Sequence, residues 1–277
     1  MSNLTARPTV TIVVPSFNEV PEVVAASLAS LRAQTVTDFE CIVVDESTDE
    51  SRARACRECC DADPRFRYIH PTQRLGLARS LNLGLEQAKG RFIARFDSDD
   101  VCMPDRLALQ TAFLESHPDV DVVGGALEII DEAGNPVALR PYPAEHREIA
   151  RRMQLTNAMA HPTVMYRRST VQRHGGYNPQ YRYSEDLELW LRWLNAGVVF
   201  ANLPQVLVRY RQQLTRRVGP HWRYNLRARL RNFSSAFFLR RVLGIGSIAL
   251  WSVFSPALQE RAFRMLMFRR HPPGSSS

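Results

Sequence analysis

Short apolar runs alternate, over the first 125 residues, with segments in which apolar residues recur at helical spacing. The apolar runs show little polar alternation, which is typical of strands buried on both faces of a sheet. They predict strands over Thr9–Val14, Phe39–Val44, Phe66–His70, Arg91–Phe96 and Val120–Gly125. The intervening segments predict helices over Glu22–Ala33, Ser51–Cys60, Leu77–Ala88 and Pro104–Ser116. Strands separated by helices indicate an α/β fold, in which a mostly parallel sheet carries helices on both faces.

The pattern changes after these strand–helix units. Residues 126–142 predict a β-hairpin, because turn-forming residues cluster at Glu132–Pro136. A further strand is predicted near Thr163–Tyr166. A helix is predicted over Ser184–Gly197, whose first residue suits the N-cap and whose last residue suits the C-terminal stop. The apolar stripe of this helix consists of Leu187, Trp190, Leu191 and Leu194.

Positive charge is concentrated near the C-terminal end. The chain of 277 residues has a formal net charge of +8, and from Gln205 onward 14 arginines accompany a single acidic residue, Glu260. Over residues 221–270 apolar positions again recur at helical spacing. The sequence therefore predicts an α/β domain over residues 1–215 and a basic helical C-terminal extension over 216–277.

The extension contains an uncharged stretch, residues 242–258, that is marginal in length for spanning a bilayer. Helices that combine arginines with apolar residues suit the surface of an anionic membrane. We therefore expect peripheral membrane contact through residues 221–270, with helices packed on the first domain as the alternative. Nucleic acid is not expected as a partner, because nothing in the α/β part supports it. No secretory signal opens the chain, so we expect a cytoplasmic protein at the inner face of the cell membrane.

Polar side chains follow three of the predicted strands. Asp97, Asp99 and Asp100 follow the fourth strand, Pro15–Glu19 follows the first, and Asp45 follows the second. The carboxyl ends of parallel strands meet at one edge of a sheet, so these loops should be neighbours. Ordinary turn and helix-start chemistry accounts for one acidic loop. Several acidic loops at one edge repel each other, which favours a bound cation or ligand.

The type of ligand follows from what the loops lack. The loop after the first strand has no GxGxxG, and the chain contains no GxxxxGK[ST], so a glycine-rich phosphate loop is not expected. Carboxylates can hold a diphosphate only through a divalent cation. Carboxylate and phosphate oxygens together suit Mg²⁺ or Mn²⁺. The pattern therefore predicts that a metal ion bridges the carboxylates and a diphosphate.

Six motifs, in this order and at this spacing, resemble glycosyltransferase family 2. They are TIVVPSFNE, CIVVDEST, LGLARSLNLGLEQAKGRFIARFDSDD, MPDRL, HPTVMYRRS…GGYNPQY (one motif in two parts) and SEDLELWLRW. The resemblance implies a GT-A-type fold with a nucleotide-binding sheet. It also implies inverting transfer of a sugar from a nucleotide-diphosphate donor to a hydroxyl of a saccharide or lipid-linked saccharide. Such transfer commonly serves cell-surface polysaccharide biosynthesis.

The resemblance assigns roles residue by residue. Asp45 would accept a hydrogen bond from the nucleotide base, Asp97 would contact the ribose, and Asp99 would coordinate the metal. His161 and Trp190 are candidates for the acceptor side, and for His161 a packed loop histidine is the alternative. The residues implied to bind the nucleotide are Pro15, Phe17, Asn18, Glu19, Asp45, Arg74, Arg79 and Asp97.

The same resemblance makes Asp186 the general base and gives Glu185 a role in positioning a sugar. Without the resemblance, acids in a first turn are explained by the helix dipole. The chemistry of transfer nevertheless needs both parts of the predicted site. Attack on an anomeric carbon that bears a nucleotide diphosphate requires a proton acceptor on one side and charge neutralisation on the other. One base opposite one leaving group predicts inversion.

One departure from the family pattern lies after LVRY, where many members place a histidine near the metal or diphosphate. Gln212 and Gln213 fall there, so Arg211, Arg216 or Arg217 would neutralise the diphosphate instead.

Two other classes of protein remain as alternatives. One is a metal-dependent nucleotidyltransferase, which would carry a glycine-rich, lysine-containing loop after the first strand. The other is a non-catalytic membrane-associated scaffold of the same fold.

Overall fold

The computed structural model describes residues 7–211 and 221–253. Its first half is an α/β unit in which the first four strands pair in parallel. The strands are β1 (Val10–Ser16), β2 (Phe39–Asp45), β3 (Phe66–Ile69), β4 (Phe92–Arg95) and the two-residue β5 (Val101–Cys102). The helices are α1 (Pro21–Arg32), α2 (Glu50–Asp61), α3 (Leu77–Gln87) and α4 (Arg106–Ser116). Strand β1 pairs in parallel with β2 and β4, and β2 pairs in parallel with β3.

The second half extends this sheet with strands of both directions. Its strands are β6 (Val122–Ile130), β7 (Pro136–Arg140), β8 (Met165–Arg167) and β9 (Phe200–Arg211), and its helices are α5 (His146–Met153), α6 (Arg168–His174) and α7 (Glu185–Asn195). Strand β8 lies antiparallel between β4 and β6, and β9 pairs in parallel with β6. The order is β3-β2-β1-β4-β8-β6-β9-β5, with β7 paired to β6. The mostly parallel α/β sheet expected from the sequence is confirmed.

Most of the predicted elements are present, with shifted ends. The predicted hairpin over 126–142 is confirmed, because β6 and β7 pair antiparallel around a turn closed by Asp131 and Asn135. The strand predicted near Thr163–Tyr166 begins later, since a 3₁₀ turn (His161–Thr163) precedes β8. The sequence did not predict β9. Its pairing with β6 skips two residues at Pro204, which lacks the N–H that a regular ladder needs.

Helices cover both faces of the sheet, as predicted. Successive residues of a strand point to opposite faces, and β1 shows this directly. Ile12 packs in one cluster with Leu28 of α1 and Leu107 of α4. Val13 packs in a second cluster with Leu81 of α3. The carboxyl ends of β1, β2 and β4 are therefore held at one edge by two separate apolar layers.

Two further helices pack against the second half of the sheet domain. They are α8 (His221–Arg231) and α9 (Phe238–Val253). Arg229 donates to the main-chain carbonyls of Met153, at 3.0 Å, and Gln154, at 2.5 Å. Arg241 donates to Asn195 Oδ1 at 2.8 Å. Burial, together with the charge of Arg241, lowers the pKa of Arg229 to about 10. Within the described residues, no helix has the length and apolar character needed to cross a bilayer.

The contact of α9 with the domain depends on a glycine, which gives a stability prediction. A Cβ at Gly244 would lie 2.0 Å from the Gln154 carbonyl oxygen, whereas a Cβ at Gly246 would meet no atom within 4 Å. Gly244→Ala is therefore expected to lower the free energy of unfolding by about 1–3 kcal/mol. Gly246→Ala should raise it by about 0.5–1 kcal/mol through helix propensity. Urea unfolding measures both, and equal stability of the two variants would contradict this packing.

Candidate active site

Three carboxylates lie together after β4. Oxygens of Asp97, Asp99 and Asp100 all lie within 4.8 Å of one another. Asp100 has no exposed surface; its Oδ1 accepts the Arg211 N–H at 2.9 Å, and its Oδ2 has no hydrogen-bond partner among the described residues. Burial, followed by the charges of Asp97 and Asp99, raises the pKa of Asp100. A buried oxygen without a donor, beside two other carboxylates, fits a divalent cation.

Two buried arginines lie behind this carboxylate cluster. Arg95 Nη1 donates to Asp97 Oδ2 at 2.5 Å, and the Arg95 carbonyl accepts from Arg106 Nη2 at 2.7 Å. Burial is the largest single influence and opposes the charged form of Arg95, but the charge of Asp97 and its hydrogen bond, together with Tyr177 and Glu185, raise the pKa of Arg95 overall. Arg95 therefore stays charged and offsets part of the repulsion among the three carboxylates.

The loop after β1 is tied to the loop after β2. Asn18 has a φ of 53°, and its Oδ1 accepts the N–H groups of Thr48, at 2.9 Å, and Asp49, at 3.1 Å. Asparagine tolerates this left-handed conformation better than most residues. The Arg74 guanidinium lies 3.8 Å from the centre of the Phe17 ring. The structure thus brings Phe17, Asn18 and Arg74, three predicted nucleotide-binding residues, to one edge of the sheet.

Asp45 lies at the end of β2 and is fully buried. Its Oδ1 accepts the Ser47 N–H at 3.1 Å and the Ser47 hydroxyl at 2.6 Å, and its Oδ2 accepts the Tyr68 hydroxyl at 2.8 Å. A hydrogen bond from a base would have to use the lone pairs that these donors leave. Pro15, near the end of β1, and Glu19, in the loop that follows, are half-buried.

The sequence reasoning missed Glu46, which supports the predicted arginines. Glu46 Oε2 accepts the N–H groups of Leu75, at 2.6 Å, and Gly76, at 2.8 Å. Gly76 has a φ of 81°, a conformation that glycine adopts without strain. These bonds hold the turn between Arg74 and Arg79, both of which are exposed. In the sequence, the feature that could have indicated a role for Glu46 is its position directly after Asp45 in the DEST motif.

A second carboxylate group begins α7. Asp186 Oδ1 accepts the Leu187 N–H at 2.7 Å, and Asp186 Oδ2 accepts from Asn157 Nδ2 at 2.6 Å. Ser184, before the helix, has a φ of 57° and makes no side-chain cap hydrogen bond. Ser184 is thus the N-cap residue, as predicted, but its hydroxyl makes no capping hydrogen bond and is buried. Strained backbone of this kind is common where a functional side chain is held in place.

Glu185 connects the two carboxylate groups. Burial, followed by the charge of Asp186, raises the pKa of Glu185 to about 8, and the charge of Asp97 acts in the same direction. At neutral pH Glu185 therefore carries its proton, although the charge of Arg95 acts in the opposite direction. The charges of Asp97 and Arg95, at the end of β4, thus both act on the carboxyl group at the start of α7.

His161 and Trp190 are placed in the interior. His161 Nε2 lies 2.8 Å from the Tyr177 hydroxyl, and its Nδ1 lies 4.0 Å from Glu185 Oε1. Burial, with the charge of Arg95, lowers the pKa of His161. Trp190 has no exposed surface and packs edge-on against His161. Their placement therefore gives no support to the prediction that they contact the acceptor directly.

Arg211, a predicted partner of the diphosphate, is tied to the protein. Its guanidinium donates to the main-chain carbonyls of Asp99, at 3.1 Å, and Glu132, at 2.5 Å. These bonds join β9 to the hairpin turn and to the carboxylate cluster, so Arg211 positions the cluster. The other residues named for this region lie outside the described residues; they are Gln212, Gln213, Arg216 and Arg217.

Comparison with known proteins identifies the class. The family described as Glycosyl transferase family 2 matches residues 11–175. The amylovoran biosynthesis glycosyltransferase AmsE of Erwinia amylovora is 35% identical over 195 residues, which cover 70% of this chain and 72% of that protein. The O-antigen biosynthesis glycosyltransferase WbnJ of Escherichia coli is 32% identical over 203 residues, covering 72% and 78%. The chain belongs to glycosyltransferase family 2 and is a glycosyltransferase.

Solved structures confirm the GT-A-type fold. S. aureus TarS 1–349, in complex with UDP-GlcNAc, has a TM-score of 0.67 at 18% identity and is matched over 95% of this chain and 76% of its own. The chain spans 44% of a longer TarS structure. The mannosyltransferase PcManGT from Pyrobaculum calidifontis, in complex with GDP-Man and Mn²⁺, has a TM-score of 0.58 at 19% identity, covering 96% and 71%.

Proposed function

We propose that this glycosyltransferase moves a sugar, with inversion at the anomeric carbon, from a nucleotide-diphosphate donor to a hydroxyl of a saccharide or lipid-linked acceptor. One observation carries the proposal. A carboxylate cluster formed by Asp97, Asp99 and Asp100 follows β4, and a second carboxylate group, Glu185 and Asp186, lies near the same strand end. The Arg95 N–H at the end of β4 donates to the Val164 carbonyl at 2.9 Å, and His161, three residues before Val164, has its Nδ1 4.0 Å from Glu185 Oε1. Displacement of a nucleoside diphosphate by a hydroxyl needs such a pair of sites.

The carboxylate cluster would hold Mg²⁺ or Mn²⁺ through Asp99, with Asp97 and Asp100 beside it. The fit rests on three oxygen ligands within 4.8 Å and on the unpartnered Oδ2 of Asp100. When bound, the cation would neutralise charge that develops on the departing diphosphate. The structural neighbour PcManGT was solved with Mn²⁺, which supports a divalent cation at this edge.

The nucleotide would lie against the loops after β1 and β2. Phe17 and Arg74 form a stacked pair there, and the Asn18 side chain fixes the loop that carries Phe17. Asp97 is the proposed contact for the ribose, and Asp45, which is fully buried, would act on the base site through Ser47 and Tyr68, whose hydroxyls donate to it. Further residues proposed to face the nucleotide are Pro15, Glu19 and Arg79. Neighbours solved with UDP-GlcNAc, UDP and GDP-Man support a nucleotide-sugar donor.

Asp186 is the proposed general base, and Glu185 a positioning group. The two carboxyl groups differ in their surroundings, which separates their roles. Asp186 is half-buried, and two hydrogen bonds hold its carboxylate oxygens, one from the Leu187 N–H and one from Asn157. Glu185 is buried, with a pKa raised to about 8, so at pH 7 it acts as a hydrogen-bond donor. His161 would act on the acceptor only through Glu185, and Trp190 only by packing against His161.

Relatives support the process in which the enzyme acts. AmsE is named for amylovoran biosynthesis and WbnJ for O-antigen biosynthesis. A third relative, 26% identical over 202 residues, is the Escherichia coli UDP-Gal:alpha-D-GlcNAc-diphosphoundecaprenol beta-1,3-galactosyltransferase. We therefore propose a role in cell-surface polysaccharide biosynthesis, with a lipid-linked saccharide as an acceptor of suitable chemistry.

A panel of nucleotide sugars tests this proposal. With Mn²⁺ present, the matching donor should raise the apparent stability by about 2.7 kcal/mol at 100 times its dissociation constant. Turnover should release a nucleoside diphosphate, and the transferred sugar should have the opposite anomeric configuration in the product. Release of pyrophosphate would instead identify a nucleotidyltransferase. Absence of turnover with every donor that stabilises the protein would favour a scaffold.

We further propose that residues 216–277 extend the catalytic domain, residues 1–215, toward the inner face of the cell membrane. Contact would be made through 221–270. Within its described part, residues 221–253, the sequence has six arginines and no acidic residue. Phe238 is 54% exposed, and along the same helix Leu239 and Leu243 are 75% and 66% exposed. Arginine charge beside exposed apolar side chains suits an anionic bilayer surface.

Exposed leucines of α9 should determine membrane binding. Leu239→Asp combined with Leu243→Asp is expected to weaken binding to vesicles of phosphatidylcholine with phosphatidylglycerol more than tenfold, because burial of each leucine contributes roughly 1.5–3 kcal/mol. Vesicle co-sedimentation measures the change. The matched control, Val137→Asp with Leu139→Asp, alters apolar side chains of β7 that are 47% and 60% exposed and should have no effect. Equal loss in both double variants would contradict a membrane face on α9.

A further inference from the structure

Asn157 is the side chain that reaches the proposed base from another part of the fold. It lies between α5 and the 3₁₀ turn, 29 positions before Asp186 in the chain. Its Nδ2 donates to Asp186 Oδ2 at 2.6 Å, and its Oδ1 accepts the Met159 N–H at 3.2 Å. The Met159 contact fixes which end of the amide is oxygen, because only the oxygen can accept. The amide nitrogen must therefore point at Asp186.

We propose that Asn157 is the positioning residue for Asp186 in glycosyl transfer. The proposal rests on the assignment of Asp186 as the base. The Leu187 N–H holds one carboxylate oxygen, but it belongs to the same helix turn and cannot fix the side chain alone. The Asn157 amide holds the other oxygen from across the site. Together the two donors fix the plane of the carboxylate and leave its remaining lone pairs for the acceptor proton.

Charge supports an amide at this position. Asp186 has Glu185 beside it, and the raised pKa of Glu185 keeps that neighbour neutral at pH 7. A neutral donor from the other side leaves Asp186 as the single negative charge of the pair. A hydrogen bond from a neutral amide to a carboxylate stabilises the charged form without cancelling its charge, as a salt bridge to arginine would. A base needs this combination, because it must stay ionised and still accept a proton.

A purely local role for Asn157 is the alternative. Its Oδ1 bond to the N–H two residues ahead is an Asx turn, and such turns shape loops without any part in catalysis. The two roles use different atoms of one side chain, oxygen for the turn and nitrogen for Asp186. Substitutions that keep the oxygen and remove the N–H donor therefore separate them.

Asn157→Asp and Asn157→Ser are the variants that test this. Both keep an oxygen that can accept the Met159 N–H; aspartate has no N–H donor, and the serine hydroxyl ends one bond short of the amide nitrogen that contacts Asp186. Asn157→Ser is expected to lower kcat by about 10- to 100-fold, the scale of a hydrogen bond to a charged group. Asn157→Asp should lower kcat further, because two carboxylates at this distance share one proton. The KM for the donor and the binding of nucleoside diphosphate with Mn²⁺ should change less than threefold in both.

Several results would overturn the inference. If both variants keep the wild-type kcat while Asp186→Asn is inactive, the Asx turn alone explains Asn157, and the proposed base remains valid. If both variants lose donor binding as strongly as kcat, Asn157 supports the fold of the site and does not position the base. If Asp186→Asn keeps full activity, the proposed function fails together with the inference. Urea unfolding of each variant identifies any that is misfolded, and Asn157→Ser then decides if Asn157→Asp does not fold.

Discussion

Asp186→Asn is expected to lower kcat by about 10²–10⁴-fold, the contribution of a positioned general base. Asparagine keeps the size of the side chain and its oxygen can still accept the Leu187 N–H, but it cannot take a proton from the acceptor. Steady-state release of nucleoside diphosphate measures the loss. Turnover near the wild-type rate would remove Asp186 from the mechanism.

Glu185→Gln is the matched control for this prediction. The pKa of Glu185, raised to about 8, means that the side chain is protonated at pH 7, and an amide reproduces the donor that the protonated acid presents. Glu185→Gln should therefore lose far less activity than Asp186→Asn at pH 7. Above pH 8 the wild-type Glu185 loses its proton, so it gains a negative charge beside Asp186 and no longer donates a hydrogen bond, whereas the glutamine of Glu185→Gln keeps its donor. The activity of Glu185→Gln relative to the wild type should therefore rise with pH.

Asp99→Ala is expected to lower turnover by about 10²-fold or more, because it removes a ligand of the proposed cation and with it electrostatic stabilisation of the leaving group. Chelation of divalent cations should inactivate the wild-type enzyme in the same way. Addition of Mn²⁺ should then restore wild-type activity but not that of Asp99→Ala. Turnover assays before and after chelation measure both effects.

Asp119→Ala is a suitable control for Asp99→Ala. Asp119 is an exposed acid in the loop before β6 and does not belong to the carboxylate cluster. Its removal changes the net charge by the same amount, so a general charge effect would appear in both variants. Full activity of Asp99→Ala after chelation would contradict a metal role for the cluster.

The sequence was sufficient to predict which loops meet at the sheet edge. Mainly apolar runs at Thr9–Val14, Phe39–Val44 and Arg91–Phe96 indicate buried strands, and parallel pairing of such strands fixes where their ends lie. The apolar stripe of α7 was likewise informative. It includes Trp190, and the burial of Trp190 follows from the stripe, whereas the family resemblance suggested an acceptor contact.

Residues that act through distant partners were not predictable. Asn157 and Asp186 are 29 positions apart, and no local periodicity signals their hydrogen bond. The burial of Asp100 was not predictable either, because the sequence places Asp100 directly after Asp99 and does not show that only Asp100 is fully buried. Its burial depends on β9, whose last residue, Arg211, donates to it. Strand β9 itself escaped prediction because Pro204 interrupts its pattern, so the interactions that it completes could not be anticipated.

The central claim is that two carboxylate groups divide the work, one holding the metal–diphosphate and one accepting the proton. Titration of nucleoside diphosphate in the presence of Mn²⁺ into wild-type protein, Asp99→Ala and Asp186→Asn tests this division directly. The account predicts that Asp186→Asn binds like the wild type, while Asp99→Ala binds at least tenfold more weakly, about 1.4 kcal/mol. Equal loss of binding in both variants, or tight binding by Asp99→Ala, would contradict it.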